Sequence, residues 1–182
     1  MERNAQLVYD LIQKKATSNE FLQGVSGFFG FPVTLVVDAG VVFTHYGPML
    51  DEIRSIYGRK PVSHEVIQPI LEACKSEIVA DIIVDKIMGN IPVIGIAANI
   101  MCAKTMTWRM GLLFAMLSSS GEDISVVTTK NTIRAIRKLF PQRNMFSFTT
   151  PSICTVEKLL TKFLDCPVDE FDSKVNRILD AI

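Results

Sequence analysis

Asp38 is the only charged residue between positions 21 and 50, and Lys104 and Arg109 are the only ones between positions 87 and 121. A carboxylate set in apolar surroundings has to be paired, hydrogen-bonded, protonated or turned to water. The chemistry open to these three groups is therefore electrostatic. As the two apolar segments pack, Asp38 is expected to meet Lys104 or Arg109 in a buried charge pair. The alternative is that all three lie on water-facing edges and never meet.

Other reactive groups are sparse. His45 and His64 are the only imidazoles, and neither belongs to a local base–nucleophile pattern. Gly24, Gly27 and Gly30 have the wrong spacing for a dinucleotide loop, and the chain has no Walker A sequence. No serine sits in a G-x-S-x-G elbow. Cys74, Cys102, Cys154 and Cys166 form no C-x-x-C pair, so they read as reduced, mostly core thiols rather than a zinc site. The expectation is a chain with no catalytic residue, no metal and no cofactor. One binding alternative stands beside it: a pocket near Asp38, His45 and Tyr57 for a small apolar ligand.

The elements that must position these groups are read from the periodicity of apolar residues. Leu7, Val8, Leu11, Ile12 and Ala16 have helical spacing and predict a first helix ending near Thr17–Asn19. Between positions 21 and 31 the three glycines and the surrounding phenylalanines read as a tightly packed turn, or as a membrane wedge. Pro32 suits the first position of a helix that carries Asp38, kinks or breaks at Gly47–Pro48, and closes at Gly58. Ser63 predicts the cap of a further helix, in which Pro69 is awkward enough to delay the regular part to Gln68. A long apolar helix should run from Asn90–Ile91–Pro92 to about Leu117 and stop at Ser118–Gly121. Residues 130–140 are basic and amphipathic, with Arg143 just beyond, and two shorter helices follow Pro151 and Pro167.

The sum is an all-α chain, a single helical domain of about six or seven helices around two apolar central helices. At 182 residues it fits one domain. The 19 basic and 19 acidic residues cancel, which argues against nucleic acid as a partner. A mean hydropathy of +0.29 is high for a soluble protein and low for a polytopic membrane protein. The uncharged run at 87–103 is at the bottom edge of a spanning length, and Asn90 and Pro92 shorten its useful helix to 91–103. Extending it would place Lys104 and Arg109 mid-span, at about 2.5–3.5 kcal/mol each. Each segment is thus a poor lone membrane helix and a good core helix, though a shallow inserted hairpin is also open. The mixed-charge start has no apolar signal region, so a cytoplasmic location is expected.

Two sets of short motifs carry a family resemblance. The first is Pro32, Asp38, Met49–Leu50, Glu52–Ile53 and Tyr57–Gly58. The second is Ile91–Pro92–Val93–Ile94–Gly95 followed by Thr107–Trp108–Arg109–Met110–Gly111. Over about residues 8–140 the chain resembles the bacterial YcjF-like family of domains of unknown function, with the EcsC-like family as runner-up. The motif residues are Pro32, Asp38, Met49, Tyr57, Gly58, Pro92, Gly95, Thr107 and Gly111. The resemblance implies a helical, often membrane-associated domain that accompanies a GTPase domain, and no catalytic residue. The chain departs from the pattern in four ways: it lacks a GTPase domain, separates Pro32 from Asp38 more widely, places Gly47–Pro48 in a helix, and has its own tail after Phe140. The expected organisation is a YcjF-like domain over 1–143 with a C-terminal helical extension, 144–182, packed on it. The expected role is non-enzymatic association with a membrane surface or a protein partner, peripheral to the inner membrane. A GTPase partner encoded elsewhere and a homo-oligomer are both open. A soluble helical interaction domain is the alternative.

Overall fold

In the computed structural model the described residues are 2–26, 39–74, 92–121, 123–140 and 148–179. Among these residues seven α-helices follow in order: α1 (Glu2–Ser26), α2 (Ala39–Ile56), α3 (His64–Ala73), α4 (Pro92–Ser120), α5 (Val126–Leu139), α6 (Ile153–Phe163) and α7 (Phe171–Leu179). A 3-10 turn, Val168–Glu170, leads into α7. All regular structure among the described residues is helical.

The second apolar segment becomes α4, which is 29 residues long. From Thr105 to Ser120 every residue but Arg109 is buried. A helix that is apolar all round must be covered all round, and α1, α2, α5 and α6 all pack against it. No helix among the described residues is long and apolar enough to cross a membrane.

The two apolar segments are packing partners, as their composition predicts. Tyr46 on α2 and Thr107 on α4 are both buried, with their hydroxyls 3.3 Å apart. The most extensive partner of α4 is nevertheless α1. Val8, Ile12 and Ala16 line its inner face and are almost wholly buried. α1 also runs past its expected end. Thr17 and Ser18 turn their hydroxyls back to the carbonyls of Gln13 and Lys14, at 3.0 Å each, so these residues continue the helix instead of capping it.

The prolines behave differently from expectation. Pro48 lies inside α2 and does not break it. Pro69 lies inside α3, which begins at His64 rather than Gln68. Both rings are exposed, so each costs one backbone bond without disturbing the buried face. Ser118, Ser119 and Ser120 extend α4 instead of ending it. The hydroxyls of Ser119 and Ser120 donate to the carbonyls of Met116 and Leu117.

The glycine stops are as expected. Gly58 has φ +67, and the bonds from Gly58 N–H to Ser55 O and from Arg59 N–H to Arg54 O close α2. Gly121, at φ +83, ends α4. Arg59 then donates to the Gly121 carbonyl at 3.4 Å, placing a cation at the negative end of the central helix. At the C-terminal side α6 lies on α1 and α4, while α7 lies on α5. Phe163 and Phe171 join them edge to face, with centroids 4.7 Å apart.

Candidate functional site

Arg109, one of two half-buried cations on the central helix, faces α5. Met106, Arg109, Met110 and Leu113 are spaced i, i+3, i+4 and i+7, which places them on one face of α4. Ile133, Ile136 and Arg137 have the matching spacing on α5. The two faces line a small, shallow cleft with a cavity volume of about 20 Å³, an apolar floor and two guanidinium groups. Among its described lining residues there is no carboxylate. Arg109 is steadied by a bond from Nη2 to the Phe140 carbonyl, 3.3 Å long, at the C-terminal end of α5.

α5 is itself a sharply two-sided helix. Ser125 caps its start: the hydroxyl accepts from Thr128 N–H at 3.2 Å, and Thr128 Oγ1 accepts from Ser125 N–H at 2.9 Å. Thr129, Thr132, Ile133, Ala135 and Ile136 are buried. Arg134 and Lys138 are exposed, and Lys130 and Arg137 are half-buried. Both basic residues of the last turn, Arg137 and Lys138, complement the helix dipole.

Of the expected charge pairing, Lys104 lies half-buried on α4 and Asp38 lies outside the described residues, as does Pro32. Lys104 and Arg109 are five positions apart, about 140° around a helix, so they address different neighbours. The remaining motif residues fall in helices or at their ends. Met49 is buried in α2, and Tyr57 and Gly58 close that helix. Pro92 is the first residue of α4, and Gly95 lies in its first turn. Thr107 receives Tyr46, and Gly111 receives Ile12.

For the expected apolar pocket, Tyr57 is partly buried, while Asp38 and the His45 side chain lie outside the described residues. His64 is exposed at the start of α3. Burial pushes the phenols of Tyr46 and Tyr57 up to about 12; at Tyr46 the hydrogen bond with Thr107 works weakly against this. Cys74 and Cys166 are buried thiols outside any disulfide, and Cys154 is an exposed one. Among the described residues no group of three or more His, Cys, Asp or Glu could hold a metal ion.

Arg137 joins Arg109 only through the packing of α4 on α5, and sequence reading had placed it merely in a basic stretch. The usable signal was the paired i, i+3, i+4 spacing around each arginine. The site sets two guanidinium groups beside an apolar floor. No family model, no curated protein and no solved structure matches this chain.

Proposed function

We propose that this chain is a non-enzymatic helical domain that associates with an anionic membrane surface, at the cytoplasmic side of the inner membrane, through α5. One observation carries the reading. α5 holds Lys130, Arg134, Arg137 and Lys138 and no acid, and its apolar stripe is committed to the core. Arg134 and Lys138 are exposed on its outer side. Each Lys or Arg near an anionic leaflet contributes about 1 kcal/mol, so these two, with the half-buried Lys130, support reversible association that salt weakens. Val127, 67% exposed at the start of the same helix, adds an apolar contact. A YcjF-like relationship, with a GTPase on another chain as partner, is a further proposal that rests on the motif residues alone.

The test is sedimentation with phosphatidylcholine vesicles, with and without phosphatidylglycerol. The protein should pellet with the anionic vesicles at low salt and be released as salt rises. A variant carrying Lys130→Gln, Arg134→Gln and Lys138→Gln together should remain in the supernatant. Wild-type protein that stays in the supernatant at low salt overturns the reading.

A further inference from the structure

α3 and α5 are neighbours of opposite charge. α3 carries Glu65 and Glu72 and no Lys or Arg, while α5 carries only cations. The C-terminal end of α3 meets the start of α5, where the Cys74 thiol lies 3.8 Å from the Val126 carbonyl. Both helices bury apolar stripes in the same core, Ile67, Ile70 and Leu71 from one and Ile133 and Ile136 from the other. Their outer faces therefore lie on one side of the molecule. Glu65 on α3 and Arg134 on α5 are exposed there. Arg134 donates to Asn131 Oδ1 at 3.4 Å, and its guanidinium has further donors to offer. Each helix also exposes an aliphatic side chain, Val66 at 51% on α3 and Val127 at 67% on α5. Val127 and Arg134 share a face, being two helical turns apart.

An acidic helix and a basic helix that meet at one end make a self-complementary surface. A two-fold axis through their junction lays α3 of one copy on α5 of the other, and the reverse, so each contact occurs twice. We infer that this face is the docking site for a second copy of the chain, with Glu65 of one copy against Arg134 of the other and the exposed valines covered between them. The area sets the strength. Helices of 10 and 14 residues present strips about 15 and 21 Å long and about 10 Å wide. Two copies then bury about 700 Å² in all, below the roughly 1,200–2,000 Å² of stable interfaces. The dimer is therefore weak and reversible, and salt loosens it because its charges are exposed. The inference does not rest on the membrane reading. Arg134 belongs to both surfaces, so dimer and vesicle compete for it.

The test is sedimentation velocity of the full chain without lipid, over a series from micromolar to near-millimolar protein, at low and at high salt. At low salt the sedimentation coefficient should rise with concentration towards that of a dimer, and at high salt the rise should shrink. Glu65→Lys and Arg134→Glu each reverse one partner of a contact that occurs twice. Each should weaken the dimer by about tenfold, the sum of two exposed pairs. Both changes in one chain restore opposite charges and should return most of the affinity. Lys158 is an exposed cation on α6, away from this face. Lys158→Glu makes the same change in net charge as Arg134→Glu and should leave the dimer unchanged. Circular dichroism checks that each variant is folded.

A chain that stays monomeric throughout the series overturns the inference. So does a dimer indifferent to salt, a double variant no tighter than the single ones, or equal weakening by Lys158→Glu and Arg134→Glu. Glu65→Lys separates this inference from the membrane reading, because it should weaken the dimer and strengthen vesicle binding. Vesicles that pellet a strictly monomeric chain would sink the dimer and leave the surface reading standing. A charge-dependent dimer that ignores anionic vesicles would do the reverse.

Discussion

Gly111 of α4 lies directly against the side chain of Ile12 on α1. A Cβ placed on Gly111 would fall 2.6 Å from Ile12 Cδ1 and closer still to Cγ1. Ile12 is fully buried, so it has little room to yield. This contact sets how closely the first helix approaches the central one. Two effects compete in Gly111→Ala. Helix propensity favours Ala by about 1 kcal/mol, while overpacking of a full core costs about 1–3 kcal/mol. The clash should win, and urea unfolding should show a loss of about 1–2 kcal/mol. In an Ile12→Ala background the obstruction is gone, and the same Gly111→Ala change should become stabilising. An unchanged sign in that background would show that the two residues do not meet.

The start of α5 depends on a reciprocal pair of hydrogen bonds between Ser125 and Thr128. Thr128 occupies the place usually filled by Glu or Gln. Ser125→Ala removes the acceptor for Thr128 N–H and should cost about 1 kcal/mol, within the usual 0.5–2. Because the cap precedes the cationic turns, Ser125→Ala should also lower vesicle binding slightly without changing net charge. Thermal unfolding followed by circular dichroism would measure the stability change, and sedimentation the binding. A loss of stability below about 0.3 kcal/mol would mean that water replaces the cap fully.

The helical architecture was legible because apolar spacing and glycine stops are local properties. Ile12, Leu50, Ile53 and Ile67 are buried as their spacing predicts, and Gly58 and Gly121 take the positive φ that a stop requires. Local reasoning failed where packing pays for a local defect. Pro48 and Pro69 sit on exposed faces, so each helix loses one bond and keeps its buried stripe. Leu7 had the right spacing yet is 45% exposed, while Ala5 is buried. The inner face of α1 is set by its close contact with α4 rather than by side-chain size.

The site was less legible than the fold. Arg109 stood out as a cation in an apolar segment, but what it faces depends on how α5 lies across α4. Nothing local to position 137 points to position 109. The close approach of Ile12 and Gly111 is hidden for the same reason: a glycine in a helix sequence announces a missing side chain and not the neighbour that fills its place. Asp38, the other half of the expected charge pair, lies outside the described residues.

Tyr46 supplies the pH-dependent prediction. Its hydroxyl lies 3.3 Å from that of Thr107 in the buried contact between α2 and α4, and Thr107 also donates to the Ala103 carbonyl at 2.8 Å. Burial raises this phenol from 10.0 to about 12, and raises Tyr57 similarly. Below pH 10 both the folded and the unfolded chain keep these protons, and the contribution to stability is complete. Between pH 10 and about 12 the unfolded chain releases protons that the folded chain retains. Stability must therefore fall across that window, by about 1.4 kcal/mol per pH unit for the fully buried Tyr46. Tyr57 adds a smaller slope because it is partly exposed. Tyr46→Phe should lose about 0.5–1.5 kcal/mol at neutral pH, the value of one hydrogen bond. It should also flatten the alkaline slope to that of Tyr57 alone. Urea midpoints measured from neutral pH through the alkaline window would test both effects. A slope unchanged by Tyr46→Phe would mean that this phenol titrates at its ordinary pKa, which is incompatible with burial between α2 and α4.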